Sequence, residues 1–201
     1  MRQLKKFIAM VLECLPELDS QTMQGWIENP KSLRKRLTEA LQPILRFEVW
    51  KTIEIGTGLQ NADAFCYALK DNGCRISDWA KDIMKKPAFA VSPEKVELNL
   101  VKVSVVELGF SSDATREEIY ERAISMGLKL VPVEAGPQLR LQYPEQPYGE
   151  WLFMAMEPIK DSDGALGVFD VKRGDDALWL GTRDDYPDRV WDSGCVFVFC
   201  K

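Results

Sequence analysis

The stretch WLFMAMEPIKDSDGALGVFDV, residues 151–171, decides the fold class. Two short apolar runs, WLFMAM and LGVFDV, flank a polar segment centred on Asp163-Gly164. An Asp-Gly pair between such runs is a strong hairpin signal, because both residues tolerate the backbone that a tight turn requires. Downstream lie ALWL (177–180) and CVFVF (195–199); upstream lie LKLVPV (128–133) and QLRLQY (138–143). Gly136-Pro137, Pro144, Pro147, Arg173-Gly174-Asp175 and Pro187 separate them. Taken together, the runs predict an antiparallel sheet or small barrel over residues 128–201.

Moving toward the N-terminus, the pattern becomes mixed. Leu98, Leu100, Val103 and Val105 alternate like a strand, and Thr115-x-x-Glu118 fits a capping box opening a helix that Gly127 ends. Phe47, Val49, Ile53 and Ile55 predict an earlier strand, broken at Gly56-Thr57-Gly58. That tripeptide lacks the third glycine of a dinucleotide fingerprint and the Gly-Lys-Ser/Thr of a P-loop, so it reads as a turn. A helix over about 61–71, closed by Gly73, precedes one that Ser77 caps and Pro87 stops. Helix, glycine turn and helix here read as a helical hairpin rather than a DNA reader.

Residues 1–46 are helical throughout. Leu4, Phe7, Ile8, Val11, Leu12, Leu15 and Leu18 form one apolar stripe, which predicts burial against the rest of the protein or a partner. Asp19 and Ser20 offer caps for a short second helix, and Asn29-Pro30 starts a third. Leu33, Leu37, Leu41 and Leu45 give that third helix its own stripe, with Pro43 ending it. The chain is therefore α+β: a helical segment (1–46), a mixed region (47–127) and a β-rich region (128–201), the last two able to form one compact unit.

From Phe47 onward the wording itself is specific. The segments FEVWKTIEIGTGLQNADAFCYALKDNGCRISDWAKDI, VELGFSSDATREEIYERAISMGLKLVPVEAGPQLRLQY and GEWLFMAMEPIKDSDGALGVFDV resemble a family of uncharacterised proteins from candidate-phylum and related bacteria. That family has no assigned function, so the resemblance implies no catalytic or binding residues.

Composition narrows the chemistry. The 201 residues include no histidine, which excludes Ser-His-Asp and Cys-His catalysis and His-ligated zinc. The five cysteines are scattered without a CxxC pair and read as reduced thiols in a cytoplasmic protein. The run FIAMVL after Arg2, Lys5 and Lys6 is cut at Glu13, too short for a signal peptide, and no run approaches a membrane span. Hence no membrane partner is expected.

The net charge of −5 is uneven: residues 97–201 hold 11 basic and 19 acidic side chains. An acidic half of that kind repels phosphate, so nucleic acid is not an expected partner. Acidic residues cluster at Asp161/Asp163, Asp175-Asp176 and Asp184-Asp185 with Asp188. Aspartate stabilises turns through its own backbone hydrogen bonds, so neither a metal site nor a cofactor is expected. Trp151 and Trp179 read as core, whereas Trp191, inside DRVWDSG, reads as near the surface. Trp191, Tyr186, Asp184 and Asp185 are the candidate ligand-binding residues. The reading is a non-enzymatic module that binds another protein or a small ligand. The alternative is a His-free hydrolase or metal-dependent enzyme using the loop aspartates; nucleic-acid association through the helical regions is the weakest reading.

Overall fold

The computed structural model describes residues 2–40, 47–174, 177–184, 186 and 189–201. The chain divides into two compact units, Met1–Ile44 and Leu45–Lys201. The first contains α1 (Arg2–Glu13), α2 (Ser20–Glu28) and α3 (Pro30–Ala40). Asp19 starts α2 by accepting the Thr22 amide at 2.7 Å. Asn29 starts α3 by accepting the Ser32 amide at 3.2 Å, and Pro30 sits where a missing N–H costs nothing. Of the apolar stripe read from the sequence, Phe7, Ile8, Leu12, Leu15 and Leu18 are exposed. The continuation of the third stripe, through Leu41 and Leu45 with Pro43, falls outside the described residues.

The second unit is α+β with a strand-rich C-terminal region. Its first half contains β1 (Lys51–Ile55), α4 (Ala62–Asp71), β2 (Arg75–Ile76), α5 (Asp78–Met84), β3 (Val96–Ser104), β4 (Ala114–Thr115), α6 (Arg116–Ser125) and α7 (Ala135–Gln142). Then follow β5 (Trp151–Met154), β6 (Ile159–Lys160), β7 (Leu166–Arg173), β8 (Leu178–Asp184), β9 (Val190–Trp191) and β10 (Val196–Cys200). The main sheet runs β1-β3-β10-β5-β7-β8-β2, with β6 on β7, and β4 pairs β9 separately. It is mixed rather than antiparallel: β10 lies parallel to β5, and β2 parallel to β8. Long crossovers, not hairpins, join each of those pairs, and a crossover returns the chain in the same direction.

Two predicted strands are not strands. Residues 128–133 contribute only an isolated bridge, Lys129 to Cys200. QLRLQY forms most of α7; its Gln138 and Arg140 are buried, and all its polar side chains are employed. Glu134, just ahead of the helix, accepts the Gly56 amide at 2.9 Å and the Ser92 amide at 2.8 Å. Gln138 donates to the Thr57 hydroxyl at 2.7 Å, and Gln142 pairs with both the amide and the carbonyl of Glu54. Spacing of four residues puts these three side chains on one helical face, which is stitched along β1 and its turn. Arg140 donates to the Gln146 side chain and the Tyr143 carbonyl, fixing the connection to β5. Pro137 is in the first turn, where no amide is needed. Gly136 lets the helix lie against Phe169, since a Cβ there would come within 2.8 Å of that ring.

The apolar core joins these parts. Phe65, Leu69, Ile83, Leu139, Phe169 and Leu180 are fully buried in it. Tyr120 of α6 meets Phe197 and Phe199 of β10 edge-on, with ring centroids 6.2 and 5.9 Å apart. The capping box predicted at Thr115 and Glu118 is present and starts α6.

Candidate functional site

The four predicted ligand-binding residues do not form a site. Trp191 is 2% exposed and packs edge-on against Phe153 and Phe197, with centroids 4.7 and 4.9 Å away, so it is core rather than surface. The short β4–β9 pairing, with Ala114 opposite Trp191, holds it there despite its polar neighbours in sequence. Tyr186 is exposed, Asp184 is exposed at the end of β8, and Asp185 lies outside the described residues.

The solvent-facing chemistry gathers instead around Trp151. In the sheet, Trp151 of β5 stands opposite Lys172 of β7, Lys172 opposite Trp179 of β8, and Trp179 opposite Arg75 of β2. Residues in direct register share a face, so these four side chains form one row across four strands, ring and cation alternating. The Lys172 ammonium lies 4.7 Å from the Trp151 ring centroid, and the Arg75 guanidinium 5.4 Å from that of Trp179. Arg183, two residues beyond Gly181 on β8, reaches back to within 5.4 Å of the Trp151 centroid. Trp151, read from sequence as core, is 39% exposed. Trp179 and Lys172 are half-buried and Arg75 is exposed.

One row along, beneath this surface, lies Asp170, 1% exposed. Burial pushes its carboxyl above the ordinary carboxylate range, opposed by Lys172, by a hydrogen bond from the Trp151 side chain and by Arg183. Lys172 Nζ is 3.9 Å from Oδ1, which has no hydrogen-bond partner among the described residues. The buried carboxyl therefore anchors the indole, with cations on either side.

Beside Trp151 opens a cleft of about 520 Å³, lined also by Lys102, Glu107, Gly149, Glu150 and Gly194. Lys102 donates to Glu150 at 2.7 Å and lies 4.3 Å from the Trp50 ring centroid. Glu107 accepts the Ser104 hydroxyl at 2.6 Å and the Ser104 amide at 2.7 Å, and these bonds hold its carboxyl below the usual range. Glu150 is engaged in an ion pair and Glu107 in bonds from Ser104.

The aspartates of the 161–165 turn serve the turn. Asp161 Oδ1 accepts the amides of Asp163 and Ala165, both at 2.9 Å. Ser162 is tied by its amide and hydroxyl to Asp82 of α5. Among the described residues, no group of three or more His, Cys, Asp or Glu is placed to hold a metal ion, and no helix is long and apolar enough to cross a membrane. No family model, curated protein or solved structure matches the chain. The row at Trp151 escapes a one-dimensional reading because register between β5, β7, β8 and β2 creates it. The only local signal is that Trp151 and Lys172 flank the hairpin predicted at Asp163-Gly164, with Trp179 in the next apolar run.

Proposed function

We propose that this protein is a non-enzymatic binding module whose ligand carries a flat ring and an anionic group, taken up on the row from Trp151 to Arg75. The observation that supports the reading is the alternation itself: two accessible indoles, each with a cation against it, in a chain of net charge −5. Aromatic faces with a few fixed charges are the usual makings of a small-ligand site, and the adjoining cleft of about 520 Å³ lies within the size range of such sites. A cytoplasmic, bacterial setting fits five unpaired thiols.

Tryptophan fluorescence provides the test. Titration with nucleoside monophosphates and aromatic carboxylates should give saturable quenching, lost in Trp179→Ala and weakened in Lys172→Ala. Equal quenching by a neutral disaccharide, or none by any flat anion, overturns the reading.

A further inference from the structure

We infer that the occupant of this face is single-stranded nucleic acid, an inference that rests on the binding-face reading above. Trp151 and Trp179 stand on β5 and β8 with β7 between them. Two strand spacings separate their backbones by roughly 10 Å, beyond the reach of one base-sized ring stacking on both. A ligand that uses both indoles must present successive flat groups, and Lys172 stands between the two where their linker would cross. Bases joined by phosphates have that form, and a cationic groove with stacking aromatics is how single strands are bound without sequence preference.

Charge summed over residues 97–201 argues against such a partner, but the sum hides the local sign. Among the described residues, the cations at this row are Lys172, Arg183 and Arg75, while the Asp170 carboxyl is buried beneath Trp151. Lys172 and Arg183 rest against the Trp151 ring. An arriving base takes their place on the indole and frees both for phosphate oxygens, so a cation–ring contact is exchanged for stacking plus a charge-assisted hydrogen bond. Every base has a stacking face, so the site should tolerate any sequence.

Anisotropy of fluorescein-labelled dT12 and U12, titrated with the full chain across roughly 20–200 mM salt, tests this. Both strands should bind. Three phosphate contacts predict a log–log salt slope of about −2, and Lys172→Glu should make it shallower by about 0.7. Trp151→Phe should retain binding, while Trp151→Ala and Trp179→Ala should each weaken it at least about fivefold, the lower bound for losing one stacked base. Thermal melts confirm that each variant is folded; Trp179→Ala and Lys172→Glu carry the test where Trp151→Ala does not fold. If flat anions quench tryptophan but neither strand binds, this inference fails and the small-ligand reading stands. If neither binds, both fail. If heparin competes as well as the strand and Trp179→Ala binds normally, the face is a charge patch only, and the inference is overturned.

Discussion

Asp170 lies directly opposite Gly181 in the β7–β8 pairing, and a Cβ at position 181 would stand 2.7 Å from its Oδ1. The missing side chain is the space the carboxyl occupies. Gly181→Ala should therefore destabilise the protein by about 1–3 kcal/mol, the usual range for overpacking, and alter Trp151 fluorescence. Gly167→Ala, whose nearest neighbour would be 3.8 Å away, should be neutral or slightly stabilising in the same denaturant titration.

The same carboxyl predicts a pH dependence. Burial raises the folded-state pKa of Asp170 above its unfolded value, so folding favours the protonated form. Its favourable contribution is complete below the ordinary aspartate range and is lost as pH rises through the raised value. Asp170→Asn should remove that slope, so that the variant gains on the parent as pH increases from acid toward neutrality. Parallel curves for the two proteins across that window would refute the assignment.

Glu134 organises three donors, the amides of Gly56 and Ser92 and the Gln138 side chain. Glu134→Ala leaves them without their acceptor and should cost about 2–5 kcal/mol, measured by chemical denaturation. Hydrogen exchange should rise first at Gly56 and Ser92. Unchanged protection at both amides would show that the carboxylate is dispensable.

The cysteines should differ in reactivity. Burial, then the Asp192 carboxylate beside it, pushes the Cys195 thiol up to about 11, whereas Cys14 is exposed. Because the thiolate is the nucleophile, maleimide at neutral pH should label Cys14 well before Cys195. Denatured, non-reduced protein should yield five free thiols. Mass spectrometry after timed labelling reads both.

Leu12 is 63% exposed on α1, whereas Ile119 of α6 is fully buried. Leu12→Ala should change stability by less than about 0.5 kcal/mol, and Ile119→Ala by about 2–5 kcal/mol. A large loss at Leu12, seen together with a drop in molecular mass by light scattering, would identify a partner copy covering the stripe.

What the sequence disclosed was mostly local. Thr115 with Glu118, Asn29 with Pro30 and the 163–164 turn act within a few residues of themselves, and each appears as read. QLRLQY misled because its apolar–polar alternation matched a strand's period of two. Gln138, Arg140 and Gln142 instead hydrogen-bond groups outside their own helix, which no periodicity reveals. Trp151 and Trp191 exchanged expected places for a related reason. Strand parity says that a side chain leaves the sheet on one face or the other, but which face is covered depends on elements distant in sequence. Gly181 carried no signal at all, because its meaning lies in Asp170 across the ladder.

The position of β10 sets the order of events during synthesis. Its residues are hydrogen-bonded to β3 on one side and β5 on the other. Without it the sheet is two fragments, β1-β3 and β5-β7-β8-β2, with no ladder between them. A nascent chain that has not yet emerged past residue 200 must therefore hold two unfinished edges apart. Pairing Leu100 with Cys200 closes a loop spanning about two thirds of the unit, a slow step by loop entropy alone. For that interval the inner edges of β3 and β5 are open to strands of other chains, so yield in the cell should depend on translation rate and chaperone supply as much as on the stability of the finished fold.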